Sequence, residues 1–241
     1  MPHTAQSSLI ASQRMRIAYL LTAVGGYLDA YTYVERGGVF ANAQTGNIVK
    51  MGIALATHSG EKCPFYLIPM GAFVAGLIVS LTIKGILDRR GIRLVRRSVL
   101  AVEAIGLIVV GFIPLVPAWD IVANSIVSFV AAMQYETFTT FRGDAIVTTM
   151  STGNLKKMVD AFYAGITKRD TKELARAGRF LSIVLTFSFG AYVGTVGCDI
   201  LEGWAVLPAV AALPVAILTI TILRRRQGHE TMRRWRVRAR K

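Results

Sequence analysis

Six apolar stretches of bilayer-crossing length limit this chain to few folds. They run over about 17–34, 65–83, 98–117, 121–141, 180–198 and 204–223. A span needs about 20 mostly apolar residues, because a helix rises ~1.5 Å per residue through ~30 Å of hydrocarbon. The third, SVLAVEAIGLIVVGFIPLVP, and the sixth, WAVLPAVAALPVAILTITIL, are the cleanest, whereas the first and fourth each hold a carboxylate. Of the 241 residues, 53% are hydrophobic and 17% charged, which is too greasy for a soluble domain of this length. The expected class is an all-α integral membrane protein with six transmembrane helices.

Charge orders the segments between the spans. The net charge is +14, and the basic residues cluster. Arg14 and Arg16 precede the first span. Lys84, Arg89, Arg90, Arg93, Arg96 and Arg97 lie around the second connection, and Lys156, Lys157, Lys168, Arg169, Lys172, Arg176 and Arg179 around the fourth. The tail after residue 223 holds nine basic residues against one acid, Glu230. The 118–121 and 199–203 turns offer only Asp120, Asp199 and Glu202. Positive loops stay on the cytoplasmic side. Both termini and the two basic loops are therefore expected inside, and segment 35–64 and the acidic turns outside. No cleavable signal peptide is evident, so the first span is expected to remain as an anchor.

The chain repeats itself. AQTGNIVKM at 43–51 aligns with MSTGNLKKM at 150–158. At this shift of 107, Thr32 falls on Thr139, Asp29 on Glu136, Lys50 on Lys157, Met51 on Met158 and Ala54 on Ala161. Seven of the 26 positions 29–54 are identical to their counterparts. GAFVAG at 71–76 then resembles GAYVGT at 190–195. The expected organisation is a cytoplasmic segment 1–16, a three-helix unit 17–117, a second three-helix unit 118–223 and a basic cytoplasmic tail 224–241. Three spans per unit is an odd number, so the second unit must enter the membrane from the opposite side. Such inverted repeats recur in secondary transporters, with the site near the midplane.

The repeated phrase is expected to start a helix. Thr45 or Asn47 can cap it and Gly46 allows a tight turn. NIVKMGIALAT makes about 16 Å of helix, half a bilayer, so each TGN helix is either re-entrant or the broken end of a longer span. Its free N–H groups favour an anion or a neighbouring carboxylate.

Asp29 and Glu136 lie at membrane depth, where an ionised carboxylate costs several kcal/mol unless paired, hydrated or protonated. Asp29 shares a small, polar helix face with Thr22, Gly25 and Gly26. Each acid could carry a proton or cation, or could latch the adjacent TGN turn by accepting its N–H groups. The expected substrate- or ion-binding set is Asp29, Glu136, Gln44, Thr45, Asn47, Gln134, Thr152 and Asn154. Glu103 is expected to reach the cytoplasmic interface or pair with Arg96 or Arg97. Lys50 and Lys157 could pair with the two acids or reach headgroups. Gly190 and Gly194 form a GxxxG packing face. Cys63 and Cys198 both map to the outer side, where a disulfide is conceivable, and their spacing shows no metal site. No nucleotide loop, nucleophile elbow, metal set or cofactor motif is present, so no enzyme is expected and no cofactor.

At GGYLDAYTYV…GVFANAQTGNIVKMG, and again at STGN with its following GAYVG, the chain resembles the YoaK-like family of bacterial multi-spanning membrane proteins, a domain of unknown function. The resemblance covers nearly the whole chain. It implies an inner-membrane protein and carries over no catalytic residues.

The functional expectation is therefore a small transport protein, with proton or cation coupling left open and an unknown small-molecule or ion substrate. A channel with two half-helices meeting at midplane is the near alternative. A non-transport scaffold is the other, with its basic tail and Trp235 meeting anionic lipid headgroups. Lipid, not nucleic acid, is the expected partner of the tail. Six spans are few for a carrier, which makes a homodimer a natural expectation.

Overall fold

The computed structural model describes residues 2–89 and 95–238. Among these, the chain forms eight α-helices and one two-stranded hairpin. The helices are α1 (Pro2–Glu35), α2 (Gln44–Ala56), α3 (Cys63–Arg89), α4 (Val95–Gly111), α5 (Pro117–Thr137), α6 (Thr152–Thr167), α7 (Thr171–Leu201) and α8 (Leu207–Arg238). Strands β1 (Thr140–Phe141) and β2 (Asp144–Ala145) make the hairpin. Side chains before Met15, and most of those after Leu223, lie outside the described residues, and with them the expected headgroup contacts of Arg14, Trp235 and the basic tail.

Each expected span falls on one of the six longer helices. Three boundaries differ in ways the local sequence explains. The third span stops at Gly111, and the fourth begins at Pro117, with proline in the first helical turn, where its missing N–H is harmless. The fourth also ends early, at Thr137. The aromatic and β-branched run Phe138–Phe141 turns back there as a hairpin, with Arg142 at φ 54° and Gly143 at φ 87°. Among the described residues two helical segments, Gly60–Leu87 and Thr171–Trp204, are long and apolar enough to cross a membrane, and Leu207–Leu223 is a shorter apolar helix.

Packing exchanges partners between the halves. α1 lies along α7 and α3 along α5; α4 contacts α5 and α8, and α8 also contacts α1. Swapping α1–α4 for α5–α8 interchanges the first two contacts, interchanges α4·α5 with α1·α8, and returns α4·α8 to itself. Small residues make the close approaches. A Cβ on Gly26 would strike the Phe187 carbonyl, one on Gly76 the Phe129 carbonyl, and one on Gly194 the Tyr27 carbonyl at 2.7 Å. Gly190 meets the backbone of Ala23, so the GxxxG face packs onto α1 as expected.

The interior draws on α1, α4, α5, α7 and α8, including Leu21, Leu28, Leu107, Val127, Phe180 and Leu213. α4 shows the rule: Val99, Leu100, Glu103, Leu107 and Val110 recur at helical spacing and are buried. Its other face, Val102, Ile105 and Val109, is equally apolar yet exposed. Leu81, Leu185, Phe189 and Leu218 are exposed too, on α3, α7 and α8. α2 and α6 pack on α3 and α7 respectively, each on the next long helix of its own half.

Candidate functional site

The two TGN asparagines behave alike, and neither caps its helix. α2 starts at Gln44 and α6 at Thr152, both without a side-chain capping bond, so capping by Thr45 or Asn47 does not occur. Asn47 instead reaches back seven residues. Its Oδ1 accepts from the Phe40 N–H at 2.9 Å and its Nδ2 donates to the Phe40 carbonyl at 2.7 Å. Asn154 does the same to Val147, at 3.1 and 2.6 Å. Both asparagines are fully buried. The side chain imitates a strand partner, satisfying a loop that would otherwise bury unpaired main-chain groups.

The repeated lysines do not pair with the two acids. Lys50 donates to the Gly38 carbonyl and Lys157 to the Ala145 carbonyl, again 12 residues upstream in both halves. Lys50 also stands 4.0 Å from the Tyr33 ring centroid. The other motif residues divide. Gln44 donates to the Ala41 carbonyl at 2.8 Å and accepts from Asn47 at 3.0 Å. Thr45 and Thr152 are exposed at the helix starts.

The segments held by these clamps meet at one point on α1. Asn42 Nδ2 donates to the Gly25 carbonyl at 3.0 Å. From the other half, the Thr148 carbonyl lies 2.6 Å from where a Gly25 Cβ would sit, and Thr149 Cα 3.1 Å. Asn42 and Thr149 are repeat equivalents, so both pre-helix segments converge on the glycine face of α1. One turn on, Asp29 Oδ1 accepts from the Asn42 N–H at 2.7 Å. That is the latch expected of an acid beside a TGN turn. Around this point Thr22 Oγ1, Asn42 Oδ1 and Thr149 Oγ1 are buried and find no hydrogen-bond partner among the described residues, an arrangement uncommon in a packed interior.

Glu136 does not share this place. It is bound by Lys84 of α3 at 3.3 Å and is partly exposed. The repeat equates Asp29 and Glu136, but one closes a buried loop and the other forms a rim ion pair. Gln134, two residues earlier on α5, is 1% exposed and does join the interior. Its amide lies between Thr148 and Glu103. Glu103 is likewise 1% exposed, so it does not snorkel, and among the described residues it forms no ion pair. Arg96 instead stands over the Phe138 ring and Arg97 donates to Thr221.

Arg36 was not singled out in the sequence. It is fully buried at the end of α1, where its guanidinium donates to the carbonyls of Ile113 and Pro114 at 2.8 Å, of Val110 at 3.3 Å and to Tyr31 Oη at 3.0 Å. Asp120 lies 3.5 Å away. The arginine thus closes the C-terminus of α4, where orphan carbonyls and the helix dipole favour a cation. Only its sequence position, a cation between Glu35 and Gly37 at a helix end, could have flagged it.

Asp144 ties the hairpin to α7, accepting from Arg176 Nε at 2.7 Å and Arg179 at 3.0 Å. The hydrogen bond to Asp144 holds the Arg176 guanidinium above its ordinary value. Cys63 and Cys198 are free thiols. Among the described residues no His, Cys, Asp and Glu cluster could hold a metal ion.

These features define a helical bundle with a buried polar centre, built twice from one pattern. Residues 17–221 match a family described as a protein of unknown function, DUF1275, and the chain belongs to that family. No curated protein and no solved structure matches it. The family brings no assigned activity, so function must be read from the residues.

Proposed function

We propose that this chain is a small transport protein of the bacterial inner membrane, with α1, α3, α4, α5, α7 and α8 as its six spans and both termini cytoplasmic. The halves would be inverted three-helix repeats. Three spans per half, the basic inner loops and the exchanged packing of α1 with α7 and α3 with α5 support this reading. Exposed leucine, isoleucine and phenylalanine on the outer helices would face lipid.

One observation carries the transport reading: equivalent pre-helix segments from both halves converge on Gly25, beside Asp29 and buried hydroxyls without partners. Irregular backbone at membrane depth survives where it lines a pathway or packs in protein. Asp29 would serve the coupling ion, with Asn42, Thr148, Thr149 and Gln134 lining the path. Asn47, Asn154 and Gln44 hold its walls. The substrate is a small metabolite or ion. The tail at 224–241 would meet anionic headgroups, and two chains would pair in the bilayer.

The test is flux in proteoliposomes. Purified protein is first screened against metabolite pools by thermal shift at two pH values, since a ligand that binds the folded state raises the melting temperature. The hit is then assayed for counterflow. Saturable exchange is expected. Unsaturable flux without counterflow would identify a channel. No flux of any stabilising compound, with the protein folded, would end the transport reading.

A further inference from the structure

The first and last long helices, one from each half, enclose a cleft. α1 and α8 run antiparallel. Tyr27 Oη of α1 donates to the Ala205 carbonyl just before α8. From Tyr27 back to Arg16, about 16 Å of helix, α1 reaches the opposite end of α8, where Arg16 and Ile222 line the same cleft. Its volume is about 320 Å³, and its walls are Arg16, Ile17 and Leu20 of α1 with Val215, Thr219 and Ile222 of α8.

Each wall is one stripe, because residues three or four apart share a helix face. On α1 the stripe is Arg16 and Leu20. On α8 it is Val215, Thr219 and Ile222, and three residues further it ends on Arg225. Val215 and Ile222 are exposed, as are both arginines, while Ile17 is buried at the floor. Thr219 donates its hydroxyl to the Val215 carbonyl at 2.7 Å, so it adds no free donor to the wall. Neither arginine forms an ion pair among the described residues.

An occupant must suit both parts of this cleft. A hydrated anion gains nothing from apolar stripes, and a plain hydrocarbon gains nothing from a guanidinium. An amphiphile with an apolar chain and an anionic head suits both. Its phosphate can take the paired N–H donors of arginine, and its chain covers the exposed valine, leucine and isoleucine below. The order along the helices is that of a lipid leaflet, with cations toward the helix ends and apolar residues deeper. Basic pockets between spans bind such headgroups.

We propose that the α1–α8 cleft is a site for one anionic phospholipid. Its phosphate lies on Arg16, with Arg225 at the same end, and the upper part of an acyl chain lies between Leu20 and the Val215–Ile222 stripe. The lipid thereby fills the seam between the two halves. This is a fixed site in the bundle, distinct from a general attraction of the basic tail to headgroups. It rests on the membrane reading of the chain and not on transport.

The test is native mass spectrometry of the full chain, released from neutral detergent after mixing with dioleoyl phosphatidylglycerol or dioleoyl phosphatidylcholine. One phosphatidylglycerol per chain should be retained, at higher occupancy than phosphatidylcholine. Arg16→Gln should weaken that retention about fivefold, the effect of one arginine on an anionic lipid. Lys172→Gln, at an exposed lysine of α7, should leave it unchanged. Leu20→Trp, which fills the cleft and keeps both arginines, should weaken retention of both lipids. Phosphatidylglycerol with a diazirine high on its acyl chain should crosslink the wild-type chain at 17–20 and 215–222, and this arm needs no variant to fold. Equal retention of the two lipids, an equal loss in Lys172→Gln, or crosslinks spread over α3 and α7 overturns the proposal. Displacement of the lipid by inorganic phosphate, or preferred retention of oleate, also overturns it, assigning the cleft to a free anion or a fatty acid. Selective retention without flux would leave this site standing and remove the transport reading; flux without selective retention would do the reverse. Recovery of the chain in the aqueous fraction without detergent would overturn the membrane reading and this site together.

Discussion

Asn154 satisfies both main-chain groups of Val147, accepting from its N–H at 3.1 Å and donating to its carbonyl at 2.6 Å. Asn154→Leu removes both partners at once. A buried main-chain group left unpaired costs about 1–3 kcal/mol, so a loss of ~2 kcal/mol or more is expected in detergent melts. Asn47→Leu should cost as much, since Phe40 is held the same way. Asn154→Asp keeps the acceptor but turns an ionised oxygen toward the Val147 carbonyl, so its stability should fall as pH rises. Wild-type melting in both leucine variants would deprive the clamp of any structural role.

Arg36→Lys should destabilise by about 3–5 kcal/mol, because one ammonium cannot replace a fork that serves three carbonyls and a tyrosine. Asp120→Asn should cost less, since its contact is long at 3.5 Å and carbonyl dipoles supply most of the compensation. Chemical denaturation of the two variants, ranked in the opposite order, would place the main countercharge on Asp120.

Gly26→Ala and Gly76→Ala should each separate a helix pair, since the new methyl meets the carbonyl of Phe187 or Phe129. Gly52→Ala, with nothing within 4 Å, should gain about 0.5–1 kcal/mol from helix propensity. Thermal shifts of opposite sign for these sites are the expected result. Equal shifts would mean that the close approaches carry no energy.

Thr57 and Thr167 are exposed beside the ends of α2 and α6, at corresponding points of the two halves. With Cys63 and Cys198 replaced by serine, single cysteines at these positions should react with an impermeant thiol reagent from opposite sides of the membrane. Reaction from one side would remove the inversion.

Asp29→Asn should fold, because an amide oxygen can still accept from the Asn42 N–H, and should abolish pH-dependent flux. Glu136→Gln loses one ion pair at the rim, worth at most about 1 kcal/mol. It should keep most of the flux. If Asp29→Asn retains pH-dependent flux, Asp29 is a latch and nothing more.

Much of the site was legible because repetition marks equivalent positions. Asn47 and Asn154, Lys50 and Lys157 do the same work in each half. The repeat misled where surroundings differ. Asp29 and Glu136 align in sequence, yet α1 meets a returning loop at Asp29, whereas α5 meets Lys84 of α3 at Glu136. Glu103 was misread from its position alone. Its distance from the span's end resembles that of a snorkelling residue, and nothing local reveals Gln134 across the helix pair.

The amino-acid order alone determined that the chain is built from helices, roughly where six long ones run and that two halves share a pattern. Those properties follow from contiguous apolar length, from proline and glycine at the breaks and from residue spacing, all short-range. Tertiary structure alone decided which helices pair, that the TGN amides turn backward rather than cap, and that Arg36 and Glu103 lie inside. Such choices depend on which donor, acceptor or carbonyl a distant element presents within about 3 Å, and no stretch of sequence contains that distance.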